Sequence, residues 1–171
     1  MSEDNPTIEE LHPLRIAKHQ VHLSDRIQLA DVLKWILAQT GKADVTITSF
    51  SISEEFLRRL VYLKRDGLVK SLNIVLDHKA TNKTMMLWQM IRQVVEKCYL
   101  AENHSKILLV GGKEMKVAVI TSQNLTRGNR YESIYITTDG SIYDYMSNRV
   151  ADLITKSIPF DDLQRRPTET D

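Results

Sequence analysis

The sequence predicts an α/β fold in which a mixed β-sheet is flanked by helices on both faces. In the first half of the chain, short alternating apolar runs typical of strands are separated by segments with helical apolar spacing. Strand-like runs then follow one another directly, which indicates antiparallel neighbours in the same sheet. The 171 residues, 42% of them hydrophobic, are enough for one domain with a substantial core. We predict a domain over residues 13–163, between a flexible N-terminal tail (1–12) and a polar C-terminal tail (164–171).

An edge strand and a helix are predicted first. Gln20–Leu23 alternates polar and apolar residues, which favours a strand, and Ser24 is placed to cap the helix that follows. Gly41 is expected to end this helix, because glycine adopts the backbone conformation of a helix C-terminus. The apolar face of the helix consists of Leu29, Val32, Leu33, Ile36 and Leu37.

A second strand–helix–strand unit follows. Asp44–Phe50 and Ser71–Asp77 alternate as strands do, and Ser51-Ile52-Ser53-Glu54 has the spacing of a helix capping box. The helix between these strands is expected to end at Gly67. Its apolar face consists of Phe56, Leu57, Leu60 and Val61.

The second half is predicted to contain a helix, a β-hairpin, a further strand and a last helix. Asp77–Lys83 is expected to be a polar loop and Thr84–Tyr99 a helix that buries Cys98. Two aliphatic runs around Gly111-Gly112 indicate a hairpin, since glycines suit a tight reversal. The remaining predicted elements are the hairpin strands Ile107–Val110 and Val117–Ile120, the strand Tyr131–Thr137, and the helix Ile142–Lys156, which Pro159 ends.

Polar residues suited to phosphate chemistry flank this hairpin. His104 and Lys106 precede its first strand, and Ser122 and Asn124 follow its second. Because a hairpin brings its far ends together, all four are expected at one end of the sheet, with His104 and Lys106 on the same side. Lysine supplies charge, serine and asparagine supply neutral donors, and a neutral imidazole is a nucleophile. The set predicts a phosphate site, in which Glu132 is expected to bind and orient the imidazole.

The same residues resemble the single catalytic motif of the phospholipase D superfamily, in which His-x-Lys is followed by Gly-Ser-x-Asn and a glutamate. Here the pattern is His104-Ser105-Lys106, then Thr121-Ser122-Gln123-Asn124, then Glu132. It departs from the family in two places. Gly111 stands where the family has an aspartate, and Thr121 stands where it has a glycine. The tyrosyl-DNA phosphodiesterase branch of the superfamily also lacks the aspartate.

The resemblance implies a phospholipase D-like fold and a two-step phosphodiesterase that needs no metal and no cofactor. His104 would attack phosphorus to give a phosphohistidine, a second histidine would protonate the leaving oxygen, and water would complete hydrolysis. Lys106 and Asn124, helped by Ser122, would stabilise charge on the non-bridging oxygens, and Glu132 would orient the imidazole. The sequence also lacks the usual spacings of metal ligands.

The count of motifs predicts a homodimer. His-x-Lys occurs once, and the other histidines (His12, His19, His22 and His78) have no lysine two residues on. The second imidazole is therefore expected from a second copy of the chain, related by a two-fold axis. We expect an interface along the motif edge of the sheet, apolar at its centre, with the two His104 side chains sharing one cleft.

Nucleic acid is the predicted partner. Lys79 and Lys83 follow a strand, and Arg127 and Arg130 follow Asn124, so these four cations are candidates to contact backbone phosphates. Ordinary surface charge explains them equally well, and a net charge of +1 gives no overall positive field. The predicted function is a nuclease that hydrolyses phosphodiester bonds as a homodimer.

Two alternatives stay open. Gly111 in place of the aspartate favours a catalytically degenerate domain that binds nucleic-acid backbone or scaffolds an assembly. A lipid-headgroup hydrolase or transferase is less favoured, because the sequence has only 6% aromatic residues and no apolar run long enough for a membrane span. The single cysteine, Cys98, and an acidic N-terminus without a signal-peptide pattern predict a cytoplasmic protein that does not engage membranes.

Overall fold

A computed structural model of the chain describes residues 5–163, which form one mixed sheet with helices on both faces. The strands are β1 (His19–Ser24), β2 (Ala43–Thr48), β3 (Val69–Asp77), β4 (Lys97–Ala101), β5 (Ile107–Gly111), β6 (Lys116–Thr121), β7 (Glu132–Thr137) and β8 (Ile158–Pro159). Their order across the sheet is β1-β7-β6-β5-β2-β3-β4-β8. The β2, β3 and β4 strands are parallel to one another, and the other neighbours are antiparallel. The predicted fold class is confirmed.

The helices form two unequal layers. They are α1 (Pro6–Glu10), α2 (Leu29–Thr40), α3 (Glu54–Arg65), α4 (Thr81–Met86), α5 (Trp88–Val94), α6 (Gly140–Thr155) and α7 (Phe160–Leu163), with a 3-10 turn at His78–Ala80. The apolar faces of α2, α3 and α5 cover one face of the sheet and form the main core. On the other face α6 packs on β5 and β6 through Val150, the one residue that this helix fully buries.

The apolar faces predicted for α2 and α3 and their ends at Gly41 and Gly67 are confirmed, but the N-terminal cap predicted for α2 is not. Ser53 caps α3, since its hydroxyl accepts from the backbone N–H of Phe56 at 3.2 Å. Ser24, by contrast, does not cap α2. That helix begins four residues later than the cap requires, after Gln28, and the Ser24 hydroxyl instead accepts from the N–H of Arg26 at 3.1 Å.

The long helix predicted over Thr84–Tyr99 is wrong in its second half. Leu87 breaks it into α4 and α5, and Val95 is already extended, so Cys98 lies in β4 and not on a helix. The N–H of Glu96 donates to the carbonyl oxygen of Leu72 at 2.8 Å, which starts the pairing of β4 with β3. Strand pairing thus overrides the local helical pattern. The polar loop predicted over Asp77–Lys83 is mostly helical.

The N-terminal segment also differs from the flexible tail expected over residues 1–12. Asn5 caps α1 by accepting from the N–H of Thr7 at 3.0 Å, and Leu11 is buried in the main core. The side-chain amide of Gln20 donates to the carbonyl oxygen of His12 at 2.8 Å, which ties this segment to β1. Thr7 of α1 and Leu11 therefore pack on the domain predicted over residues 13–163. Residues 1–4 and the predicted C-terminal tail, 164–171, lie outside the described residues.

Candidate active site

The hairpin brings its polar flanks to one end of the sheet, as expected. The N–H of Thr121 donates to the carbonyl oxygen of Lys106 at 3.1 Å, so the end of β6 lies beside the start of β5. Lys106 and His104 point to the same side: the Lys106 ammonium lies 3.4 Å from His104 Nδ1 and donates to the His104 carbonyl oxygen at 3.0 Å. Because His104 is exposed, its imidazole is accessible to a ligand.

Asn124 is placed at this end of the sheet by contacts with the β2–α3 connection. The buried Ser49 hydroxyl lies 3.4 Å from the amide oxygen of Asn124 and accepts from the N–H of Leu125 at 3.1 Å. A backbone bridge pairs Ile52 with Leu125, and the N–H of Ser53 donates to the Leu125 carbonyl oxygen at 2.8 Å. The segment after β6 is therefore held on both sides of Asn124.

Two buried polar residues that the sequence analysis missed support the His104 segment. The Asp77 carboxylate accepts from the backbone N–H groups of Lys79 at 2.7 Å and Asn103 at 2.9 Å. The Asn103 side-chain amide donates to the carbonyl oxygen of Ser49 at 3.1 Å, and its oxygen accepts from the N–H of Ser105 at 3.1 Å. The sequence contains two signs of this support: a strand that ends on the polar residue Asp77, and an asparagine, Asn103, directly before the motif.

Glu132 does not make the expected contact. Its carboxylate accepts from the hydroxyl of Ser122, which in turn accepts from the N–H of Ser133 at 3.0 Å. Within residues 5–163 no hydrogen bond or ion pair joins Glu132 to His104. Glu132 begins β7 beside the end of β6, so the hydroxyl of Ser122, the first residue after β6, lies within its reach.

Gly111, which replaces the family aspartate, lies away from this site. It ends β5, five residues past Lys106, which places it about 16 Å along the strand. A β-carbon at Gly111 would lie 2.8 Å from the hydroxyl oxygen of Tyr143, so an aspartate here requires this half-buried ring to move. Burial raises the pKa of the Tyr143 hydroxyl, which stays neutral. The hydroxyl of Tyr143 on α6 therefore occupies the space beside Gly111.

The four predicted phosphate-contacting cations are exposed and lie in two groups. Lys79 is in the 3-10 turn and Lys83 in α4, close in the chain to Asp77 and the network below His104. Arg127 and Arg130 follow Asn124 on the other flank, where Arg127 forms an ion pair with Glu55 at 3.4 Å. Three of the four have no ion pair among the described residues, namely Lys79, Lys83 and Arg130.

No protein-family profile matches the sequence, and no curated protein is similar to it at the sequence level. Solved structures do share its fold. Nuc from Salmonella typhimurium, described as a phospholipase D family member, is 16% identical with a TM-score of 0.62, over 82% of this chain and 97% of Nuc. NucT from Helicobacter pylori is 14% identical with a TM-score of 0.63, over 83% and 98% of the two chains.

A third structure with this fold is TrmBL2, described as an archaeal chromatin protein with a novel mode of DNA binding. It is 10% identical with a TM-score of 0.58, over 84% of this chain and 54% of TrmBL2. The resemblance that the motif suggested is thus confirmed for the fold: the chain has the fold of the phospholipase D family. None of the helices described within residues 5–163 is both long enough and apolar enough to cross a bilayer.

Proposed function

We propose that this protein is a phosphodiesterase of the phospholipase D type that hydrolyses nucleic acid through a phosphohistidine. One observation carries the proposal: an exposed imidazole, His104, and an ammonium group, Lys106, lie on the same side of one sheet end, 3.4 Å apart. Asn124 is held at that same end by Ser49. Nucleophile, cation and neutral donor together match what phosphoryl transfer requires.

The chain's own groups divide the first step between them. A nitrogen of the His104 imidazole attacks phosphorus and forms an N–P bond as the bond to the leaving oxygen breaks. Lys106, which at rest donates to the His104 carbonyl oxygen, turns to the phosphate and, with Asn124, stabilises its non-bridging oxygens. Water then cleaves the N–P bond and releases the imidazole.

A second copy of the chain supplies the proton for the leaving oxygen in this proposal. An apolar stripe on the sheet face opposite α2 supports such a dimer. Val21 on β1 is 73% exposed, Ile120 on β6 is 38% exposed, and both pair in register with Tyr135 on β7 between them. Leu23, 71% exposed, continues the stripe along β1. A contiguous exposed apolar patch is typical of an interface.

The stripe also reaches the motif. The shallow groove that it borders includes Thr121 and Ser122, which lie at the end of β6 beside the catalytic set. A second copy seated there would bring its own His104 towards the same end of the sheet, as the homodimer through the motif edge requires. The dimer is part of the proposed function.

Hydrolysis assays test the proposal. Purified protein is incubated with single-stranded DNA, duplex DNA, RNA and a chromogenic phosphodiester, with and without EDTA. We expect turnover that survives EDTA and is lost in His104→Ala, while His12→Ala, a matched exposed histidine away from the motif end, keeps it. Turnover that requires a divalent ion, or that persists in His104→Ala, contradicts the mechanism.

The second candidate is a catalytically degenerate domain that binds nucleic-acid backbone. The pairing of Glu132 with Ser122 favours it, because His104 then has no carboxylate partner among the residues that the structure describes, 5–163. A protein of the same fold, TrmBL2, is described as binding DNA. This candidate predicts that wild type and His104→Ala bind DNA equally well and that neither hydrolyses any substrate.

A further inference from the structure

Phe50 stands apart from the other phenylalanines of the chain. Phe56 and Phe160 are buried in the main core, whereas Phe50 is half-exposed and belongs to neither apolar cluster. It lies just past the end of β2, and its ring centroid is 5.5 Å from that of the His104 imidazole, with the two rings inclined at 53°. A partly exposed aromatic ring therefore lies beside the proposed nucleophile.

Hydrogen bonds hold the backbone that carries this ring. The carbonyl oxygen of Phe50 accepts from the N–H of Asp77 at 3.1 Å, and the N–H of Ser49 donates to the carbonyl oxygen of Val75 at 3.0 Å. The Ser49 carbonyl oxygen also accepts from the Asn103 side chain. The same hydrogen-bonded network thus supports the backbone of both Phe50 and the His104 segment, so the fold places the two residues side by side.

A partly exposed aromatic ring next to a phosphate site has a well-defined use in nucleic-acid binding. Bases stack on such rings whatever their identity, because every base has a π-face. In a duplex those faces are covered by neighbouring base pairs, so only an unpaired or splayed base can reach the ring.

We propose that Phe50 is a stacking platform for the nucleobase next to the scissile phosphate, and that it makes the site selective for single-stranded nucleic acid. The proposal rests on the proposed function and adds its substrate class. The flanking cations, Lys79 and Lys83 on one side and Arg130 on the other, bind backbone phosphates without reading sequence. Phe50 then contributes the contact that separates a polynucleotide from other phosphodiesters.

Two fluorescent oligomers of equal length and charge test this inference: single-stranded oligothymidylate and its fully abasic counterpart. Dissociation constants are measured by anisotropy, and cleavage rates are measured in parallel. We expect wild type to bind the base-bearing oligomer about 5- to 150-fold more tightly, as one stacked base provides. Phe50→Leu should bring this ratio close to one, and Phe50→Trp should restore it. Tyr62→Leu, an exposed aromatic of α3, should leave it unchanged.

The ratio of the two dissociation constants, measured for each variant, decides whether Phe50 stacks on a base. A ratio that Phe50→Leu leaves unchanged overturns it, and so does an equal fractional loss on both oligomers, because Phe50 would then only position the imidazole. If Phe50 stacks on a base, Phe50→Leu should also reduce the preference for single-stranded over duplex DNA, in parallel with the ratio of dissociation constants. If no oligomer is cleaved, the proposed hydrolysis fails, yet the binding ratio still tests the stacking site, so the two failures are distinguishable. Restoration by Phe50→Trp shows that an aromatic ring at this position sets the ratio, and circular dichroism shows that the Leu and Trp variants are folded.

Discussion

At the scale of single residues, the resting position of Lys106 defines its role. Among residues 5–163, its ammonium group forms hydrogen bonds only with His104, with the carbonyl oxygen at 3.0 Å and with Nδ1 at 3.4 Å. Both contacts are weak enough to be exchanged for a phosphate oxygen, which carries full negative charge. We therefore place Lys106 in direct contact with the substrate in both the ground state and the transition state of the proposed reaction.

Lys106→Ala is expected to lower kcat/KM for a chromogenic phosphodiester by about 10- to 150-fold, the worth of one charge-assisted hydrogen bond. Because the same contact is made in the ground state, KM should rise as well as kcat fall. Lys113→Ala removes an exposed lysine at the far tip of the hairpin and is the matched control. Equal kinetics for the Lys106 and Lys113 variants would remove Lys106 from the site.

At the scale of elements, Glu96 explains why β4 exists where a helix was predicted. Its carboxylate accepts from the N–H of Leu72 at 2.7 Å and from the ammonium of Lys64, which also donates to the carbonyl oxygen of Val94 at 3.0 Å. These contacts close the end of α5, start β4 against β3 and tie both to α3. Partial burial acts to raise the pKa of Glu96, but the hydrogen bonds from Lys64 and Leu72 outweigh it and lower that pKa below its usual value.

Glu96→Ala should therefore reduce the free energy of unfolding in a pH-dependent way. A carboxylate with a lowered pKa in the folded state stabilises the fold above its ordinary pKa, and this contribution disappears as the pH falls through the lowered value. We expect a loss of about 1 kcal/mol at pH 7, since the pair is partly exposed, and a smaller loss in acid. Urea denaturation of wild type and Glu96→Ala at neutral and acidic pH measures this loss of unfolding free energy. A loss that does not depend on pH would mean that packing alone matters at this position.

At the scale of the whole molecule, the proposed dimer gives one explanation for the exposed stripe of Val21, Leu23 and Ile120 and for the single motif. In that proposal, a two-fold dimer covers the stripe and supplies the second histidine that the reaction needs. In this proposal the dimer is the active form, because a monomer holds only one of the two histidines that the reaction needs.

Val21→Lys combined with Leu23→Lys should yield a monomer that remains folded but has lost most phosphodiesterase activity. Charges on both side chains oppose burial of the stripe, and neither residue belongs to the main core. Light scattering measures the mass of the particle in solution, and circular dichroism checks that the variant is folded. The chromogenic assay measures its activity. Ile16→Lys, at a position 81% exposed outside the stripe, is the control. A monomeric wild type with full activity would contradict the dimer.

The salt dependence of DNA affinity tests the proposed role of the cations around the site. Replacing both Lys79 and Lys83 by alanine should weaken DNA binding and flatten the log–log slope of affinity against salt by about 1.4 to 1.8, because each phosphate contact releases counterions. The double variant Lys42→Ala and Lys113→Ala, at the far end of the sheet, should leave the slope unchanged. Identical slopes for the two double variants would assign Lys79 and Lys83 to ordinary surface charge.

The sequence by itself determined the local units and the composition of the motif. Apolar spacing was sufficient for α2, whose five predicted face residues are all buried, and for the β5–β6 hairpin, whose closure places His104 and Lys106 beside the end of β6. These features depend on residues close together in the chain, which is why periodicity and turn chemistry revealed them.

Only the tertiary structure decided what depends on distant segments. The β4 strand forms because β3 offers it hydrogen bonds, and Asp77 and Asn103 support the site because folding brings together segments 26 residues apart. Phe50 reaches His104 in the same way, and Glu132 binds Ser122 because β6 and β7 are neighbours. No local sequence pattern predicts such pairings, because the packing of the whole sheet determines which side chains come into contact.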